Sequence, residues 1–150
     1  MAKNLFAWAS ISENGTVNGV KGDQTKNEVK TGWYYDFGQR SCIRMKSIKK
    51  RRKMAKIAKY LANDNRTGYS QADRTDLFKQ CKKLNWNFED VKKNLTKTNC
   101  DCSQFYAVCV NLAYGKEILT SSAYTGNLLT MCGAKKKIFK ILDIQTAEKS

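Results

Sequence analysis

The stretch that most constrains the fold begins at Asn99-Cys100-Asp101-Cys102-Ser103-Gln104 and runs straight into an apolar helical segment. Phe105, Val108, Cys109 and Leu112 recur at the spacing that places side chains on one helical face, and Gly115 offers a C-cap. A helix therefore opens close to Cys102. The chain contains no histidine at all.

With 150 residues there is enough chain to bury a real core in one domain. Trp33, Trp86 and many Tyr and Phe are spread along it, which argues against disorder. No run of about 18 apolar residues exists to span a membrane. The opening residues Met1 to Trp8 are too short and too polar for a signal peptide. If the protein acts outside a cell, something else is expected to release it.

Twenty-eight Lys and Arg against 13 Asp and Glu give a net charge of +15. That excess favours polyanions, whether nucleic acid, anionic cell wall or acidic lipid, and equally serves plain solubility. Six cysteines without an export signal give weak support to a disulfide framework. Cys100, Cys102, Cys109 and Cys132 lack the paired C-x-x-C spacing of a zinc site, so no metal or cofactor is expected. Cys42, Cys81 and Cys132 read as small buried apolar residues.

Residues 1–45 read as a β-containing or irregular arm, with turns at Asn14-Gly15, Asn18-Gly19 and Gly22-Asp23. Strand composition appears at Glu28-Val29-Lys30-Thr31 and Trp33-Tyr34-Tyr35. A helix is predicted from Ser47 to Ala62, with Met54, Ile57, Ala58 and Leu61 on its inner face. Its first turns carry Lys49, Lys50, Arg51, Arg52 and Lys53, a candidate polyanion site, although cations there oppose the helix dipole. Asn63 to Gly68 reads as a loop, and Ser70-Gln71-Ala72-Asp73 as a capping box. The helix after that box carries Leu77, Phe78, Cys81 and Leu84 on one stripe. A shorter helix runs over Phe88 to Leu95, further turns lie over Thr125 to Met131, and Ile138 to Leu142 reads as a strand. The expectation is one domain, with a helical part over 46–115 and the start of a sheet over 116–150.

A thiol at the first turn of a helix has a chemical consequence. Free N–H groups and the positive end of the dipole stabilise an anionic thiolate, the attacking species in acyl transfer. The same N–H groups stabilise the oxyanion of a tetrahedral intermediate. By spacing alone a cysteine near a helix start is more often structural.

The segment Cys100-Asp101-Cys102-Ser103-Gln104 resembles the nucleophile region of NlpC-type papain-like cysteine peptidases, in particular the cell-wall hydrolases of phages and prophages. Three further blocks carry the same resemblance in the same order. They are Gly22-Asp23-Gln24-Thr25 with Glu28-Val29 and Trp33-Tyr34, then Ala62-Asn63-Asp64-Asn65 with Gly68-Tyr69-Ser70-Gln71 and Arg74, then Tyr124-Thr125-Gly126-Asn127. The resemblance implies an α+β, papain-like fold, with a helix-rich first half and an incomplete sheet. It also implies Cys102 as nucleophile, Asp101 capping or positioning the helix, and Ser103 supplying an N–H beside the oxyanion. Tyr69 comes within reach, and Cys100 packs. The implied substrate is the stem peptide of peptidoglycan, cut at an amide bond.

In that family the general base is a histidine on a strand beyond the nucleophile helix. This chain ends at Ser150 before that point is reached. The 150 residues alone are therefore expected to be inactive or nearly so, with a further segment or a second chain completing the site. Two alternatives stand beside this reading. One is a degenerate relative that binds and inhibits a bacterial host protein. The other is a nucleic-acid binder, against which the basic run lacks interleaved aromatics.

Overall fold

The computed structural model describes residues 5–12, 14–21, 28–33 and 41–143. Along them run β1 (Leu5–Ala9), β2 (Val29–Trp33), β3 (Ser41–Met45), α1 (Ile48–Ala62), β4 (Thr67–Tyr69) and α2 (Asp76–Lys83). There follow α3 (Phe88–Asn94), β5 (Thr98–Cys100), α4 (Cys102–Tyr114), α5 (Leu128–Gly133) and β6 (Phe139–Asp143). The fold is α+β. The expected turn at Gly22-Asp23, the strand residues Tyr34-Tyr35 and the tail 144–150 lie outside the described residues.

Three two-stranded sheets surround α4. β1 pairs antiparallel with β2, β3 antiparallel with β6, and β4 parallel with β5. The strand expected near the C-terminus is present, yet its partner is β3 from the N-terminal part, with Met45 opposite Phe139. Of the ribbon's pairs, Met45 and Phe139 are buried together, while Ile141 opposite Ile43 is exposed.

α4 sits between two hydrophobic clusters. Phe105, Val108, Cys109 and Leu112 join Ile57 and Leu61 of α1, Leu77, Phe78 and Cys81 of α2, and Val91 and Leu95. Ala107 and Val110 face the other way, against Met45, Leu119, Ala123, Cys132 and Phe139. Ten residues of α4 are buried, so it is a core helix apolar on nearly every side and not the amphipathic one its spacing suggested. Its exposed residue is Cys102, at the open end.

Local chemistry sets the helix ends. Ser47 caps α1, its Oγ accepting from the Lys50 N–H at 3.3 Å. Gly115 ends α4 at φ +70°, a left-handed conformation that glycine adopts without a Cβ clash. Asn111 then pins the next turn, since its Oδ1 accepts from the N–H groups of Ile118 and Leu119 and its Nδ2 donates to Leu119 O. Two expectations need correction. Thr67 and Gly68 belong to β4 and not to a loop, because they pair with Thr98 and Asn99 of β5. The Ser70 hydroxyl does accept from the Asp73 N–H at 3.3 Å, but it closes a turn, and α2 starts only at Asp76.

Candidate functional site

The parallel pair β4–β5 builds the site. Both strands are buried, and their C-terminal ends arrive side by side, Tyr69 opposite Cys100. β5 passes through Asp101 directly into α4. The chain beyond β4 turns through Arg74, and the loop 120–125 closes the third side.

Asp101 organises these three segments. Its Oδ1 accepts from the Gln104 N–H at 2.8 Å, which makes Asp101 the N-cap of α4. The same oxygen accepts from the Ser103 hydroxyl at 2.9 Å. Its Oδ2 accepts from Arg74 Nε at 2.5 Å. Arg74 Nη2 also donates to Ser103 Oγ and to the carbonyl of Ala123. Gln104 Nε2 donates to the carbonyls of Ser121 and Ala123, at 3.0 and 2.7 Å. Two side chains, Arg74 and Gln104, thus hold the loop 120–125 against the start of α4.

The loop brings Thr125 Oγ1 within 3.7 Å of Cys102 Sγ. The thiol is exposed, while Asp101 and Ser103 on either side are buried. Gln104 N is bonded to the Asp101 side chain and Phe105 N to the Asp101 carbonyl. The N–H groups of Cys102 and Ser103 belong to the first turn, where intrahelical acceptors do not exist. Tyr69 lies beside the site, its hydroxyl accepting from Gln71 Nε2 at 3.4 Å. Burial pushes the Tyr69 hydroxyl above its ordinary value, and nearby Cys102 and Asp101 add to the shift while the Gln71 bond opposes it. Tyr69 is therefore a proton donor near neutrality and not a base.

The remaining cysteines are spread through the interior. Cys81, Cys100 and Cys109 are buried in the larger cluster and Cys132 in the smaller. Burial holds the Cys81 thiol up at about 12 and pushes Cys100 and Cys109 up as well. Cys42 departs from its expected burial: it is half-buried and lines a groove between β1, β3 and α1. Among the described residues no group of three or more His, Cys, Asp or Glu is placed to hold a metal ion.

The basic run on α1 does not act as a unit. Lys50 Nζ donates to the Ala113 carbonyl at 3.1 Å and lies over the Tyr114 ring, securing the far end of α4. Arg51 Nη1 donates to Met45 O at 2.9 Å. Lys49, Arg52 and Lys53 are exposed. None of the five is placed by any contact at Cys102. Sequence reasoning included Arg74 only as one letter of a resemblance block. Nothing in a lone arginine's spacing reveals that it bridges Asp101, Ser103 and Ala123.

An exposed thiol opens a buried helix, with a capped N-terminus, the Thr125 hydroxyl 3.7 Å away and the N–H donors of the first turn. That arrangement defines a candidate nucleophile site on an α+β scaffold. Residues 6–138 match the model of the endolysin-like domain, and the chain belongs to that family. The family ties it to phage endolysins and lysis of the bacterial cell wall, and suggests peptidoglycan as substrate. No curated protein and no solved structure matches the chain. Among the described residues no helix is long and apolar enough to cross a membrane.

Proposed function

We propose that the protein is a cysteine-nucleophile hydrolase of peptidoglycan stem peptides, with α4 as the nucleophile helix of a papain-like, NlpC-type site. The observation that carries the reading is the exposed Cys102 at the open end of α4, beside a helix start fixed by Asp101 and Arg74. The Cys102 thiolate attacks the amide carbonyl and forms a C–S bond. The N–H groups of Cys102 and Ser103 receive the oxyanion. The C–N bond then breaks, the leaving nitrogen takes a proton, and water releases the acyl group from sulfur.

Proton transfer is the step for which these residues are least equipped. Tyr69 donates but does not accept near neutrality, and the chain has no histidine. In this reading the base comes from another polypeptide segment, in cis or in trans.

An activated ester of a stem peptide separates acylation from that step, because its leaving group needs no proton. Mass spectrometry should show a thioester on Cys102, absent in Cys102→Ala. Added imidazole should restore slow amide cleavage in the wild type only. An activated ester that leaves Cys102 unmodified would overturn the proposal and favour a binding role.

A further inference from the structure

We propose that Tyr124 is a stacking platform for the sugar to which the stem peptide is attached, so that the site selects glycan-linked peptide over free peptide. The inference rests on the proposed hydrolytic reading and adds to it the part of the substrate that is read beside the thiol.

Tyr124 is 53% exposed. The next residue, Thr125, brings its hydroxyl within 3.7 Å of Cys102 Sγ, so the aromatic residue stands one position from the thiol's nearest hydroxyl. A lone exposed apolar side chain needs no explanation by itself. What sets this one apart is how firmly its surroundings are built.

The Tyr124 N–H donates to Asn127 Oδ1 at 2.8 Å, and Asn127 Nδ2 donates to Ser122 O at 3.0 Å. Arg74 and Gln104 tie the same loop to the start of α4 through the Ala123 carbonyl. The edge of the ring rests against Gly126, where a Cβ would come within 2.5 Å of Tyr124 Cε2. Only glycine leaves that edge its room. A ring seated before its ligand arrives loses little further freedom on binding.

The composition of the loop selects the ligand. Residues 118–134 contain no Lys, Arg, Asp or Glu, although these types make up 27% of the chain. Arg74, which reaches the loop from outside, is paired with Asp101. The loop therefore offers an anionic group no cation of its own, and a cationic side chain no carboxylate. What it exposes beside Tyr124 are Thr120, Ser121, Ser122 and Thr125, all bearing hydroxyls. A purely apolar side chain would use the ring and none of these. A pyranose uses both: its C–H face packs on the aromatic ring, while its hydroxyl and acetamido groups exchange hydrogen bonds with Ser and Thr.

The test compares two soluble ligands of the full chain by titration calorimetry. One is a stem tripeptide on its N-acetylmuramic acid, the other the same tripeptide with an acetyl cap in place of the sugar. The wild type should bind the sugar-bearing ligand roughly five- to tenfold more tightly. Tyr124→Ala should remove that preference, and Gly126→Ala, which displaces the ring, should reduce it. Tyr124→Phe keeps the ring and should keep the preference. Thermal unfolding of the Tyr124 variants should stay near that of the wild type, because the side chain is exposed. Equal affinity of the wild type for both ligands, or no measurable binding of the sugar-bearing one, would overturn the proposal. A preference that survives Tyr124→Ala would overturn it too, as would an equal loss for both ligands, which would assign the ring to the peptide. Thioester formation on Cys102 needs no sugar, and the titration needs no thiolate, so either reading can fail without the other.

Discussion

Replacing Asp101 with alanine removes three hydrogen bonds at once: to Gln104 N, to Ser103 Oγ and to Arg74 Nε. Loss of the N-cap costs about 1 kcal/mol. Arg74, whose side chain is 26% exposed, keeps its bonds to Ser103 and Ala123 but loses its carboxylate, which adds about 1–3 kcal/mol. The total is about 2–4 kcal/mol, or a fall of about 5–15 °C in Tm for a chain of this size. Asn is as good an N-cap as Asp, so Asp101→Asn should recover about 1 kcal/mol of the loss. Urea unfolding followed by fluorescence of Trp86, buried edge-on against Phe78, measures both variants. If both stay within 1 kcal/mol of wild type, the network around Asp101 contributes little and the argument for a built site fails.

Three further outcomes are expected. A water-soluble disulfide reagent should modify Cys102 first and Cys42 more slowly, with Cys81, Cys100, Cys109 and Cys132 reacting only on unfolding; Cys102→Ser should remove the fast phase. Gly115→Ala should cost about 1 kcal/mol in urea unfolding, because its φ of +70° strains any side chain, and Gly115→Asn should cost less. At Asp64 burial opposes ionisation, but the hydrogen bonds and charge of Arg66 outweigh it and hold the carboxyl below the ordinary range. Its contribution is therefore complete above the ordinary carboxylate value, about 4, and is lost as pH falls through the lower folded value. The stability gap between wild type and Asp64→Asn should be constant from about pH 5.5 to 8 and shrink below about pH 4. A gap that widened in acid would refute this assignment.

Helices were legible in the sequence because their signals are local. The four-residue stripe in α4, the stripe of Leu77, Phe78 and Cys81, and the glycine after Tyr114 all report on residues within a turn of one another. Strands of three residues carry no such signal. Thr67-Gly68-Tyr69 becomes a strand only through Thr98-Asn99-Cys100, and Leu5–Ala9 only through β2. Cys102 and Asp101 stood out as neighbours in sequence, whereas the residues that fix their surroundings, Arg74, Gln104, Ala123 and Thr125, converge from three segments. The basic run misled in part: five adjacent cations looked like one patch, but helical rotation turns Lys50 and Arg51 onto backbone carbonyls. The pairing that sets Arg44 opposite Lys140 is one no linear run reveals.

The pairing of β3 with β6 also sets an order of events during synthesis. Ser41 meets Asp143, so β3 leaves the ribosome long before its hydrogen-bonding neighbour is made. At the usual 5–20 residues per second the wait is roughly 5 to 20 s. Throughout that interval β3 presents open edges to every other nascent chain, the situation in which strands aggregate. Arg44 within it and Lys46 just beyond act against such contacts, since charged side chains on an edge repel a second copy. Arg44 would then serve twice, in the finished ribbon opposite Lys140 and in the unfinished one as a guard of its edge.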